Sequence, residues 1–364
     1  MERIHIGFFG ATNSGKSTLV NAICGQEVSL VSAVPGTTTD PVRKLAELPG
    51  LGPCVLIDTA GLDDSGILGA ERERRTRAVL DEIDVAVVLS VIPDLIGNLS
   101  SAGIPYVLYT RGESVESLIE RIAAIAPKEE EKYLTGSLVK PGDTVVLVMP
   151  QDSEAPKGRL ILPQVQVIRE LLDRGCVPHC CTPASLPAAM KSLAGLPDLV
   201  ITDSQVFKLV NDTIPKQCPL TSFSVLLASA KGDIKVFVEG AKAIDSLKPG
   251  SRVLIAEACT HVPDTEDIGR VKIPALLRKK IAGQAGNDAE AGNDGGIQVD
   301  IAAGNDFPED LSPYSLIIHC GACVANARVV RSRIRKALLA GVPITNYGIT
   351  IAALQGILPR ISLP

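Results

Sequence analysis

The residues Gly10-Ala-Thr-Asn-Ser-Gly-Lys16-Ser17 fit the pattern G-x-x-x-x-G-K-[ST]. They follow an apolar hexapeptide, Ile4–Phe9, and precede a segment with helical periodicity, Lys16–Cys24. Polyphosphate binding needs that order. Backbone N–H groups of a loop running through Gly10, Thr12, Asn13, Ser14 and Gly15 to Thr18 can wrap a β-phosphate where a helix begins. Lys16 then neutralises β- and γ-oxygens, and the Ser17 hydroxyl ligates Mg²⁺.

Two later segments complete such a site. Pro35-Gly-Thr-Thr-Thr-Asp40 is a threonine-rich loop in which Thr38 can fill a Mg²⁺ position. Asp58-Thr-Ala-Gly61 ends an apolar strand. Asp58 can hold Mg²⁺ through water, and the Gly61 N–H can sense a γ-phosphate. In this order and spacing the three segments resemble the translation-factor-like GTPases, especially the group of tRNA-modifying and ribosome-assembly GTPases. The resemblance implies GTP hydrolysis with Lys16, Thr38, Asp58 and Gly61 as the catalytic set. It also implies K⁺ bound with the help of Asn13. Leu62 stands where some small GTPases carry a water-orienting glutamine, so slow intrinsic hydrolysis is expected.

One part of the pattern is missing. Guanine is normally read by an N-K-x-D motif, and no Asn in this chain is followed by Lys. Ile104–Tyr109 resembles the strand that should precede the motif, but Thr110-Arg-Gly-Glu113 follows it. Either Glu113 stands in for the aspartate, or a strand–helix unit is deleted and Thr110–Leu118 is the loop leading into the last helix. The short block, about 125 residues, favours the deletion.

A second constellation is built from cysteine and histidine. Cys259-Thr-His261 follows a strand at Val253–Ala256, and His319-Cys320-Gly-Ala-Cys323 ends a strand at Leu316–His319. Ligands of open α/β sheets sit at such carboxyl ends. A C-x-x-C across a strand-to-helix turn presents two sulfurs to one centre, and a thiolate from the neighbouring strand adds a third. Structural zinc, an iron–sulfur cluster and a redox dithiol all suit this set. Cys24, Cys54, Cys176, Cys180, Cys181 and Cys218 read as packing residues.

The elements that must position these groups follow an α/β pattern, with strand-like runs alternating with helical periodicity from end to end. Strands are expected at Cys54–Ile57, Val85–Val91, Tyr106–Tyr109, Thr144–Met149, Val177–Cys181, Leu199–Thr202 and Pro343–Tyr347. Helices are expected at Val115–Ala126, Leu162–Arg174, Leu186–Leu193, Gln205–Val210, Ala325–Leu339 and Ile351–Ile357. Pro127–Lys132 is charged and reads as a linker. Gly283–Gly296 is a low-complexity stretch in which AGND recurs, and reads as an exposed insertion. With 46% hydrophobic and 3% aromatic residues in 364, the cores are aliphatic. A net charge of −5 argues against broad nucleic-acid binding. Nine cysteines without a signal-like start indicate reduced thiols in cytoplasm, and no apolar run approaches a membrane span.

The nucleotide loop combined with C-x-H…H-C-x-x-C resembles the [FeFe]-hydrogenase maturation GTPases, the HydF family. Further stretches are similar to that family: Glu154–Gln164, Pro197–Gln205, Gly240–Leu247, Glu257–His261, Asp306–Asp310, His319–Cys323 and Pro343–Gly348. The resemblance implies a [4Fe–4S] cluster on Cys259, Cys320 and Cys323. Its fourth position would be open or variable, taken by His261, His319, an acidic side chain or water. It further implies a homodimer that carries the di-iron precursor of the hydrogenase active site. Two radical-SAM maturases supply input, and the apo-[FeFe]-hydrogenase receives the product. The expected fold is α/β: a truncated P-loop GTPase domain at 1–126 followed by two further parallel-sheet α/β domains. These are a dimerisation domain at 141–215, after a linker at 127–140, and a cluster domain at 216–364. Residues 262–318 between the two histidines make a longer gap than the family leads one to expect, and the AGND-rich stretch accounts for the excess.

Overall fold

The computed structural model describes residues 3–25, 41–61, 78–127, 133–151, 160–258, 267–284, 296–304, 306–323 and 325–364. The chain forms two compact units, Met1–Glu130 and Glu131–Pro364.

The first unit is a five-stranded sheet in the order β2-β3-β1-β4-β5. Its strands are β1 (Ile4–Phe9), β2 (Val42–Leu48), β3 (Gly52–Asp58), β4 (Val85–Val88) and β5 (Tyr106–Leu108). All neighbours are parallel except β2 and β3. Central β1 is buried on both faces, as continuous apolar runs in parallel sheets are. Helices α1 (Lys16–Cys24) and α3 (Val115–Ile125) cover one face through Leu19, Val20, Leu118, Ile119 and Ile122. Helix α2 (Pro93–Ser101) and a helical turn at 78–80 cover the other through Leu95, Leu99 and Val79.

This arrangement bears on the missing motif. Right-handed crossover from β4 to β5 places α2 on the second face, and a further strand beyond β5 would need another helix there. Instead the chain returns in α3 to the face of α1. Strand β5 is the edge, with Tyr106 and Leu108 exposed. Among the described residues the sheet ends at β5, with no strand beyond it.

The second unit holds two four-stranded parallel sheets. The middle one, β7-β6-β8-β9, comprises β6 (Thr144–Val148), β7 (Val177–Cys181), β8 (Leu199–Thr202) and β9 (Leu220–Ser222). Helices α4 (Leu162–Asp173), α5 (Leu186–Ser192), α6 (Phe207–Thr213) and α7 (Phe223–Lys231) accompany it. Alternation divides its strands between two cores. Val145, Leu147, Leu199 and Ile201 pack with Val167, Leu171, Phe223 and Leu226. Val146, Val148 and Val200 face the core shared with the last sheet.

That sheet runs β11-β10-β12-β13, with β10 (Arg252–Glu257), β11 (Gln298–Ala303), β12 (Leu316–His319) and β13 (Ile344–Asn346). Helices α8 (Ile234–Ala241), α9 (Ile273–Gln284), α10 (Ala327–Leu339) and α11 (Tyr347–Leu354) surround it. Asn326 and Asn346 cap α10 and α11, each side chain accepting an N–H three residues on. The C-terminal tail returns to the middle sheet, where the Ser362 N–H donates to Leu220 O at 2.7 Å.

Several elements depart from the expected string. Strands β2, β9 and β11 and helices α2, α7, α8 and α9 are additional. Strand β9 lies past residue 215, the expected end of the middle domain. The helix expected at 351–357 begins at Tyr347, directly from β13. The one expected at 205–210 is a 3₁₀ turn, Ser204–Val206, running into α6. Gly283 and Gln284 belong to α9, and residues 285–295 of the AGND-rich stretch lie outside the described residues.

Candidate functional sites

The nucleotide loop runs from the end of β1 into α1. Gly15 caps the helix in a left-handed conformation, φ 92°, and offers no side chain to its free N–H groups. Those donors stay directed at the loop, the arrangement an anion requires. Asn13 is also left-handed, at φ 60°. Lys16 is buried, and its Nζ donates to Gly10 O at 3.1 Å and Ala11 O at 2.8 Å, curling the loop around the ammonium.

Register brings the second motif alongside. Phe8 pairs with Asp58 between β1 and β3, so the Asp58 carboxylate lies beside the start of α1. Ser17 Oγ donates to Asp58 Oδ2 at 2.5 Å. Burial raises the Asp58 pKa, opposed by the Ser17 hydrogen bond and the Lys16 and Lys44 charges. Asp58 Oδ1 and Ser14 Oγ are buried without a hydrogen-bond partner. Buried polar atoms are normally satisfied, so this pair fits a hydrated cation and phosphate. Gly61 packs directly on the loop: a Cβ there would lie 2.1 Å from Thr12 Oγ1 and 2.7 Å from the Thr12 backbone. Only glycine allows that approach. Thr18 is exposed, and Thr38 lies outside the described residues.

Glu113 does not face a base. Its carboxylate takes both oxygens to Arg121 Nη1 at 2.9 Å and accepts from Ser117 Oγ at 3.0 Å. These bonds hold its pKa low despite an opposing burial effect. Arg121 also donates to Leu108 O, fastening α3 to the edge strand.

The cysteine site lies at the carboxyl end of the last sheet. Cys320 follows β12, and its N–H donates to Ala256 O at 2.9 Å. Its sulfur accepts two backbone N–H groups, from Ala258 at 3.1 Å and Ala322 at 3.4 Å. Cys323 is exposed on the same loop. Cys259 and His261 lie outside the described residues. Among the described residues no group of three or more His, Cys, Asp or Glu side chains converges as a metal set.

His319, one of the candidate fourth ligands, lies behind the loop. Its side chain is fully buried. Nδ1 lies 2.7 Å from Cys320 O, and Nε2 lies 3.2 Å from Arg333 Nη1. Burial, with the Arg333 charge adding, brings its pKa down to about 3. Both ring nitrogens are engaged inside the fold, so His319 supports the loop instead of facing it.

Sequence reasoning missed the groups behind the loop. Arg333 in α10 is buried and donates to Glu257 O at 3.0 Å and Gly304 O at 2.5 Å. Glu257 pairs with Arg270 through both oxygens, at 2.7 and 3.2 Å. The Tyr347 hydroxyl is buried without a partner. Burial foremost, then Cys320, raises its pKa well above the ordinary 10. The hydroxyl packs against Gly269, where a Cβ would lie 1.9 Å from it. Glu257 and Tyr347 fall within stretches similar to the maturation GTPases, the one signal that could have flagged them. Of the remaining cysteines, Cys54, Cys176 and Cys218 are buried, but Cys180 is exposed on edge strand β7 and departs from the packing expectation.

Comparison with known proteins divides the chain in three. A model of a 50S ribosome-binding GTPase matches residues 5–135. The hydrogen maturase F dimerization domain matches residues 134–232, and the hydrogen maturase F tetramerization domain residues 235–364. Among curated relatives, the tRNA modification GTPase MnmE of Acidiphilium cryptum is 41% identical over 107 residues, covering 29% of this chain and 24% of that protein. MnmE of Methylobacterium sp. is 34% identical over 172 residues, covering 40% and 36%. The chain thus spans about a quarter to a third of the length of these relatives. Among solved structures, Era of Aquifex aeolicus bound to GDP·AlF4⁻ aligns over 85% of this chain and 97% of its own, with 15% identity and a TM-score of 0.26. The NFeoB structure of S. thermophilus bound to GDP·AlF4⁻ covers 33% and 62%, with 18% identity and a TM-score of 0.22. A GTPase domain joined to both oligomerisation domains of one family leaves a single assignment: the chain belongs to the hydrogen maturase F family of GTPases.

Proposed function

We propose that the protein is a nucleotide-controlled [4Fe–4S] scaffold. On it the di-iron precursor of the [FeFe]-hydrogenase active site is completed, and from it the precursor passes to the apo-hydrogenase. The observation carrying this reading is the sulfur cradle after β12. Cys320 Sγ receives N–H groups from Ala322 in its own loop and from Ala258, which precedes Cys259 in the sequence. Such N–H···S contacts stabilise thiolate over thiol. Cys259, Cys320 and Cys323 would hold the cluster; when bound, it supplies an iron whose fourth position can exchange ligands. His261, an acidic side chain or water would occupy that position.

In the nucleotide domain, the loop from Gly10 to Thr18 wraps the phosphates and Lys16 neutralises them. Ser17 and Thr38 would hold Mg²⁺, with Asp58 acting through water, and Asn13 offers an oxygen to K⁺. Gly61, seated against Thr12, presents its N–H to the γ-phosphate. The threonine loop and the Asp58–Gly61 segment order around the triphosphate and release on hydrolysis, which alters partner affinity. Glu113, the one carboxylate the sequence offered as a base reader, is committed to Arg121, so GTP binds as one of several purine triphosphates. The protein works as a homo-oligomer in reducing cytoplasm with two radical-SAM maturases, and engages neither nucleic acid nor membrane. Among the described residues no helix is long and apolar enough to cross a membrane.

The test is transfer. Anaerobically loaded protein activates purified apo-hydrogenase, and the Cys320→Ser variant treated identically does not. A variant as active as wild type would refute the scaffold role. Maturation unaffected by deleting residues 1–126 would refute the switch.

A further inference from the structure

Lys231 ends helix α7, within the stretch matched by the dimerization-domain model. Its ammonium crosses into the other domain. Nζ donates to Ala322 O at 2.7 Å, Cys323 O at 3.3 Å and Ala325 O at 2.7 Å. All three carbonyls belong to the cysteine loop, within the tetramerization-domain match.

The same loop is strained. Ala322 has φ 51°, the left-handed region that a residue with a Cβ avoids. That conformation turns the Ala322 N–H toward Cys320 Sγ while its carbonyl meets the ammonium. A strained residue persists only where its surroundings over-determine it. Lys231 is placed to do this, because its helix is fixed: Phe223, Val225, Leu226, Leu227 and Ala228 are all buried. An ammonium also suits the task, with three donors for three carbonyls.

We infer that Lys231 is a positioning residue, a clamp from the middle domain that holds the Cys320–Cys323 loop in its sulfur-presenting conformation. The cysteine site is therefore set partly by a domain that carries none of the cysteines proposed to bind the cluster. The clamp acts in the metal-free protein. Only its consequence for cluster properties rests on the scaffold reading above.

The experiment uses the full chain. In metal-free protein, N-ethylmaleimide labelling is followed cysteine by cysteine by mass spectrometry. Lys231→Met is expected to speed labelling of Cys320 about tenfold, as local opening becomes easier. Exposed Cys180 on β7 and buried Cys54 serve as unchanged internal references. Ala322→Gly relieves the strain, so in that background Lys231→Met should have less than half its effect. Lys231→Arg, which keeps the charge and a donor fork, should restore most of the protection. In reconstituted protein the Met variant should shift the electron paramagnetic resonance signal of the cluster. Labelling equal to wild type in Lys231→Met, or an effect undiminished by Ala322→Gly, overturns the clamp. Wild-type protein that fails to take up iron and sulfide overturns the scaffold reading and leaves the labelling test standing.

Discussion

Arg333 Nη1 lies 3.2 Å from His319 Nε2, and the opposite ring nitrogen of His319 lies 2.7 Å from Cys320 O. With Nδ1–H donating to the carbonyl, the imidazole is neutral and its Nε2 accepts from the guanidinium. The chain Arg333–His319–Cys320 fixes the backbone at the first cysteine of C-x-x-C. The same arginine reaches Glu257 O and Gly304 O, so one side chain ties together the ends of β10, β11 and β12.

Removing that tie should be costly. Arg333→Met takes the guanidinium donors from Gly304 O and the His319 ring nitrogen, and leaves Glu257 O with the Gly304 N–H, which lowers stability by about 2–4 kcal/mol. Denaturant unfolding of the metal-free protein measures it. A change within about 0.5 kcal/mol, the range of ordinary surface substitutions, would contradict the role assigned to Arg333.

Base preference follows from Glu113. A site built to hydrogen-bond its substrate rejects an analogue lacking the partner by about 10⁴-fold or more. With Glu113 bound to Arg121, GTP, ATP and XTP should bind within about tenfold of one another, the gap worth 1.4 kcal/mol. Glu113→Gln should leave those ratios unchanged. Calorimetric titration with each nucleotide decides it, and a strong guanine preference abolished by Glu113→Gln would restore Glu113 as the base reader.

How far the sequence carried the reading differs by element. The Ile4–Phe9 strand and the Lys16–Cys24 helix are legible because an apolar run, a glycine loop and a helical period follow one another. Strand β2 is an edge whose inward positions are Lys44, Ala46 and Leu48, so its alternation carries too little apolar contrast to read in the sequence. Helix α7 escapes for the opposite reason, being buried nearly all round and so without an amphipathic period. Cysteine positions are legible, side-chain directions are not: nothing in His319-Cys320 says that the imidazole turns inward. Lys231 and Arg333 are single basic residues in helices, and only the folded chain brings them to the cysteine loop.

Cys54 gives a pH-dependent observable. Burial, with Asp84 adding, pushes its thiol up to about 11. The protonated form is favoured in the folded chain, so its contribution to stability is complete below about 9 and is lost as pH rises from there toward 11. Iodoacetamide should therefore leave Cys54 unmodified at pH 8.5 while exposed Cys180 and Cys323 react. Modification of Cys54 should rise only as pH approaches 11. Labelling of Cys54 as fast as Cys323 at pH 8.5 would contradict its burial between β2 and β1.

The central claim is that the cysteine loop binds an iron–sulfur cluster. Anaerobic reconstitution followed by metal analysis and electron paramagnetic resonance of the reduced protein tests it most directly. The account predicts about four iron and four sulfide per chain with a cluster signal. The signal should be lost in Cys259→Ser, Cys320→Ser and Cys323→Ser, and kept in His319→Gln, whose side chain faces Arg333 and the loop carbonyl. One tightly held zinc per chain with no sulfide would contradict it.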